Sequence, residues 1–200
     1  YKVAPDKMKK VLEEIEERIR KGTSSSRFRA ISEISCFSAK EATTMLASHL
    51  GEEDSAVLIS VLQALGRRQD PRAVSALLDV MESRQKEPEI FQAVVQALAR
   101  IGDEKAIEPF LRSLEGEADH VRTILTSLPG LLLQVRNSDL LEKSITRLIL
   151  LWEEGPALSP VVRAALEGTT GLSFESAVLA REWWNNRDNR EQFLKSRTGK

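Results

Sequence analysis

Apolar residues in this chain recur three and four positions apart along its length and never alternate with polar ones for long. Spacing of three and four places side chains on one face of a helix, whereas a half-buried strand needs period two. Val61, Leu62 and Leu65 make one such face, and Val74, Leu77, Leu78 and Met81 make the next. The pattern predicts helices over residues 5–20, 25–36, 39–50, 54–67, 71–84, 88–101, 104–115, 118–134, 138–153, 159–168 and 174–194. Aromatic residues are only 5% of the total and no strand pattern is sustained, so the fold class is all-α.

The helices are related by an internal repeat. Residues 61–81 align without a gap on residues 94–114, an offset of 33, with identity at Val61/Val94, Gln63/Gln96, Ala64/Ala97, Leu65/Leu98, Arg67/Arg100, Asp70/Asp103, Ala73/Ala106 and Leu78/Leu111. Each copy reads as a helix, a polar break at Asp70 or Asp103, and a second helix. An Asp suits the break because its carboxylate accepts from the free N–H groups of the following helix, and Pro71 then occupies a position that needs no N–H. Weaker copies flank the pair. At an offset of 31, Ala42, Leu46 and Leu50 match Ala73, Leu77 and Met81, with a capping box at Ser38 and Glu41. At an offset of 34, Leu140, Leu141, Ile145 and Leu148 match Ala106, Ile107, Leu111 and Leu114. Pro129-Gly130 is expected to bend or break the helix that contains it.

Helix pairs repeating every 31 to 34 residues, whose first helices end in ALG- or ALARIGD-like segments before an Asp-initiated helix, resemble HEAT repeats of the short bacterial, PBS-lyase-like type. The Val-Arg pair frequent in such repeats stands at Val121-Arg122 and Val162-Arg163, while the two clearest copies carry Leu58-Ile59 and Phe91-Gln92. The resemblance implies a right-handed α-solenoid of about five stacked helix pairs. Tetratricopeptide repeats share a 34-residue period, but their Trp, Gly-Tyr and terminal Pro positions have no counterpart.

An array of repeats needs its two ends covered. Residues 1–22 are expected to form an N-terminal capping helix, with Met8, Val11, Leu12, Ile15 and Ile19 on its inner face. Residues 23–170 form the repeat array, and residues 171–200 a C-terminal capping helix and polar tail. Trp184 is expected to seal the last repeat and Trp183 to remain partly exposed, a candidate partner contact. The run from Asn185 to Gln192 holds no apolar residue and reads as a solvated helix end or a frayed tail.

Composition narrows function by exclusion. Lys and Arg total 29 against 30 Asp and Glu, a net charge of −1, which does not suit a protein built to coat nucleic acid or anionic lipid. No apolar run reaches the roughly 18 residues of a membrane span. Cys36 is the single cysteine, without a partner for a bridge or a CxxC site, and is expected to pack as a small hydrophobe. His49 and His120 fall in different repeats. No phosphate loop, dinucleotide fingerprint or nucleophile elbow occurs. We therefore assign no catalytic, metal or cofactor residues. The chain opens on Tyr1 rather than Met, as a fragment or processed product would, and is expected to be cytoplasmic and monomeric or weakly oligomeric.

One polar feature repeats. Gln63 and Arg67 lie four apart and share a helix face, and the 33-residue copy sets Gln96 and Arg100 beside them. The resemblance implies that these helices line the concave side of a HEAT solenoid, where the stripe would receive carboxylates or backbone groups. The expected function is a non-catalytic scaffold that binds a protein or peptide. Two alternatives come with the family: a HEAT-like DNA-binding or alkylpurine DNA glycosylase-type protein, drawing on Arg67, Arg68, Arg72 and Arg100, and a bilin lyase-like subunit.

Overall fold

The structure, a computed structural model, describes residues 5–35, 37 and 40–199, with backbone alone for residues 5–8. Cys36, Ser38 of the expected capping box and Tyr1 lie outside the described residues, and so does the Met8 side chain. Twelve α-helices and no strand occur among the described residues, as the periodicity predicts. None of these helices is long and apolar enough to cross a membrane. The chain forms two compact units, Tyr1–Ile101 and Gly102–Lys200.

The first unit contains α1 (Pro5–Lys21), α2 (Ser24–Ser35), α3 (Lys40–Ser48), α4 (Ser55–Arg68), α5 (Val74–Ser83) and α6 (Pro88–Ile101). Helices α2, α4 and α6 lie side by side in a row, α1 packs on α2, and α3 and α5 pack against α4 and α6 respectively. The core runs along this row: Leu58, Val61, Leu62 and Leu65 of α4 and Val94 and Leu98 of α6 are wholly buried. Leu65 and Leu98, paired by the 33-residue repeat, are thus equivalent core positions. Two links at an offset of 31 show that α4 and α6 run parallel. A Cβ placed on Gly66 would come within 2.9 Å of the Ala97 Cα, and the Gln69 amide donates to the Arg100 carbonyl at 2.8 Å. Gln69 adopts a left-handed backbone with φ 51°, closing α4, and its 33-residue counterpart is Gly102, with φ 75°.

The second unit contains α7 (Ile107–Ser113), α8 (Ala118–Leu132), α9 (Ser138–Glu154), α10 (Ser159–Thr170), α11 (Ala177–Asn185) and α12 (Arg187–Thr198). Helix α8 packs on α7 and α10, α9 on α7 and α10, and both terminal helices on α9. Short 3-10 turns at Pro71–Ala73, Glu104–Ala106 and Pro156–Leu158 lead into α5, α7 and α10.

Two expectations need correction. Pro129-Gly130 does not break its helix: α8 runs through Pro129 to Leu132, in line with the helix predicted over 118–134, although proline gives up the bond to the carbonyl one turn before it. Buried Leu128, Leu131 and Leu132 hold the last turn, and the Pro129 carbonyl accepts from Leu133 N at 2.9 Å. The expected single helix over 174–194 is two helices. Asn186 takes an extended backbone between them, and its side chain accepts from Asp188 N at 3.0 Å and Asn189 N at 3.2 Å. The apolar-free run is therefore the start of a capped helix, anchored beyond its polar part by buried Phe193.

Gly66 and Gly130 offer a matched test of this packing. Alanine ordinarily stabilises a helix by about 0.5–1 kcal/mol over glycine, and Gly130 has nothing within 4 Å of an added Cβ. At Gly66 the added methyl meets backbone, and overpacking costs about 1–3 kcal/mol. Gly130→Ala is expected to raise the urea midpoint and Gly66→Ala to lower it; a rise for both would show that α4 and α6 have room to spare.

Candidate functional site

The repeated Gln/Arg positions fall on adjoining helices of the first unit, and helix geometry sets their direction. At about 100° per residue, Gly66 lies about 60° behind Gln63 and 100° behind Arg67. By the same count Ala97 lies about 100° ahead of Gln96 and 60° ahead of Arg100. The Gly66–Ala97 contact therefore flanks the two stripes from opposite sides. Since α4 and α6 are parallel, both stripes open on the same side of the row. Gln63, Arg67 and Arg100 are exposed and Gln96 is half-buried. Neither Arg67 nor Arg100 makes an ion pair among the described residues, and α4 carries no carboxylate.

The neighbouring arginines have other work. The Arg68 guanidinium donates to the Phe37 carbonyl and, at 3.4 Å, to that of Ile34, so it caps the end of α2. Its Nε donates to the Thr43 hydroxyl at 3.0 Å, and that hydroxyl donates to Asp70 Oδ2 at 2.6 Å. Arg72 grips the same carboxylate through its Nε at 2.9 Å and its backbone N–H at 3.1 Å. Hydrogen bonds from Arg72 hold the Asp70 carboxyl well below the usual carboxylate range, with Thr43 adding to the effect and burial opposing it. Burial pushes the Arg68 guanidinium down, against the attraction of Asp70. Periodicity identifies Asp70 as a cap, but the chain from α2 through Thr43 to Asp70 has no sequence signal, because its partners lie 25 or more residues apart.

The histidines stay apart. His49 Nδ1 lies 3.0 Å from Glu52 Oε1, and Arg27 pairs with the same carboxylate while its Nε donates to the Ile19 carbonyl at 2.7 Å. His120 sits half-buried in α8. No group of three or more His, Cys, Asp or Glu able to hold a metal occurs among the described residues.

The remaining candidate, Trp183, lies in the second unit. Its half-buried ring sits 5.4 Å from Phe174, 5.7 Å from Trp184 and 6.0 Å from Phe193, centroid to centroid. Trp184 is only 4% exposed, and its indole N–H donates to the Thr146 hydroxyl of α9 at 2.9 Å. Trp184 thus fastens α11 to the last helix pair. Arg197 adds a second fastening from α12 by donating to the Leu132 carbonyl at the end of α8, at 3.0 Å. Leu172, Val178 and Leu179, at the start of the same segment, remain exposed.

A family model described as HEAT repeats matches residues 12–88 and again residues 45–128. No curated protein matches the chain.

Two outcomes follow from these contacts. The pKa of Asp70 is lower in the folded chain than its unfolded value of about 3.9. Its stabilisation is thus complete above that value and is lost as pH falls through the folded pKa. The urea midpoint should drop on acidification below about pH 4, and Asp70→Asn should start lower and drop less; parallel profiles would show an unengaged carboxylate. Trp184→Ala should cost about 3–5 kcal/mol, as large aromatic truncations do, and an unchanged melting curve would remove its sealing role.

Proposed function

Because the chain belongs to the HEAT-repeat family, we propose that it is a non-catalytic scaffold that holds a carboxylate-bearing protein or peptide segment on the α4–α6 face. HEAT repeats commonly mediate contacts between proteins. The observation that carries the proposal is the pair Arg67 and Arg100: exposed, adjacent, without an ion pair among the described residues, and flanked by Gln63 and Gln96. A guanidinium offers a carboxylate two parallel donors, and the glutamine amides can both donate to and accept from a partner backbone. Fold alone does not assign function; these four side chains supply the specific chemistry.

A nucleic-acid reading draws on a wider cationic groove. Arg68 and Arg72, two of its four arginines, are engaged by carbonyls, Thr43 and Asp70, which leaves that reading with less support. Trp183 stands outside the proposed surface, its ring engaged by three aromatic neighbours.

The test is proximity crosslinking of the full chain in its native host, compared with Arg67→Ala/Arg100→Ala. The proposal expects proteins captured by the parent chain to be lost from the double variant, with acidic segments at their crosslinked positions. The melting temperature should stay within about 2 °C, since exposed unpaired arginines add little stability. Identical capture by both would overturn it, and capture of DNA with steep salt dependence would replace it with the nucleic-acid reading.

A further inference from the structure

In the second unit, α7 and α9 leave a groove of about 430 Å³ between them. Helix α7 spans two turns and α9 nearly five, so α9 runs on past the end of its neighbour. The lining residues are spaced i, i+3, i+4 and i+7: Glu108, Leu111 and Arg112 from α7 with Glu115 in the turn just past its end, and Lys143, Thr146, Arg147 and Leu150 from α9. The Lys143–Glu108 ion pair at 2.5 Å fixes the register at an offset of 35. That register sets Arg112 opposite Arg147 one turn further along.

These two arginines are unevenly served. Arg112 makes no ion pair among the described residues and is exposed. Arg147 is largely buried, yet its carboxylate contacts are long, 3.9 Å to Glu115 and 3.5 Å to Glu154. Charge-assisted pairs of this kind close to about 2.7–2.9 Å when well formed. Its Nε is buried without a hydrogen-bond partner among the described residues. A buried N–H left unmatched is destabilising, so an acceptor that reaches it gains more than it would on open surface. Thr146 accepts from the Trp184 indole and keeps its own hydroxyl hydrogen to donate. Buried Leu111 and half-buried Leu150 supply an apolar floor.

We propose that the α7–α9 groove binds an acidic peptide segment, its carboxylate held between Arg112 and Arg147 and its neighbouring apolar side chain laid on Leu111 and Leu150. The occupant follows from the donors left over in the groove: exposed Arg112 has no ion pair among the described residues, Lys143 is matched by Glu108, and the long contacts of Arg147 to exposed Glu115 and Glu154 are readily exchanged for a better-placed carboxylate. The site lies within one unit and shares no residue with the α4–α6 face, so each proposal stands or fails separately.

The test titrates the full chain with acetyl-leucyl-glutamyl-leucinamide and with its glutaminyl counterpart, following the arginine Nε–H signals by NMR. The glutamyl peptide should shift the Arg147 signal and saturate, while the glutaminyl peptide binds at least about tenfold more weakly, the usual scale for losing a charged partner. Arg112→Gln breaks no ion pair, so it should leave the melting temperature alone and weaken the glutamyl peptide about tenfold. Equal affinity for both peptides, no saturation by about 10 mM with either, or an unaffected Arg112→Gln variant would each overturn the proposal. Loss of binding in Arg67→Ala/Arg100→Ala would assign the peptide to the other face and overturn it as well.

Discussion

In the first unit, most of the architecture depends on how closely two parallel helices approach. A side chain on Gly66 would strike the backbone of Ala97, so α4 and α6 meet with almost no spacer between them. Close approach excludes water from Leu65 and Leu98 and brings the Gln69 amide within reach of the Arg100 carbonyl. It also determines what faces outward: with the contact fixed at residues 66 and 97, residues 63, 67, 96 and 100 must share one side of the row. The candidate surface is thus a consequence of core packing rather than of any loop or pocket.

Around this contact the charged residues divide into two groups. Arg68 and Asp70, with Thr43, tie the end of α2 to the turn before α5 through hydrogen bonds that span 25 or more residues, and Arg72 holds Asp70 from two positions away. Such partly buried, well-matched bonds hold helix pairs in register, and their arginines are not free to meet a partner. Arg67, one position before Arg68, and Arg100 on the neighbouring helix make no ion pair among the described residues. The second unit closes differently, through an aromatic cluster of Phe174, Trp183, Trp184 and Phe193 and through the Trp184 and Arg197 hydrogen bonds that fasten α11 and α12.

Much of this was legible in the amino-acid sequence because helix spacing and a gapless 33-residue repeat are local signals that tertiary contacts reinforce. The equivalence of Leu65 and Leu98 and the burial of Trp184 both came from that logic. The break at Asn186 did not, because an N-cap inside a run of polar residues looks like any other Asn until the chain turns there. For α8 the spacing of apolar residues over 118–134 was a better guide than the expectation of a break at Pro129, because leucines of the last turn find a core. The pairing of Arg68 with carbonyls of α2 and the Arg112–Arg147 groove were beyond reach for a common reason: side chains 30 or more residues apart leave no spacing to read.

The central claim is that Gln63, Arg67, Gln96 and Arg100 form one face because α4 and α6 pack in direct contact. It is tested most directly by placing cysteines at Gln63→Cys and Gln96→Cys in a Cys36→Ser background and adding a bismaleimide whose reach is about 10 Å, the upper spacing of packed helices. The account predicts rapid intramolecular crosslinking of the folded monomer and its loss in urea. A folded protein that crosslinks no faster than in urea would place the two glutamines on different faces and contradict it.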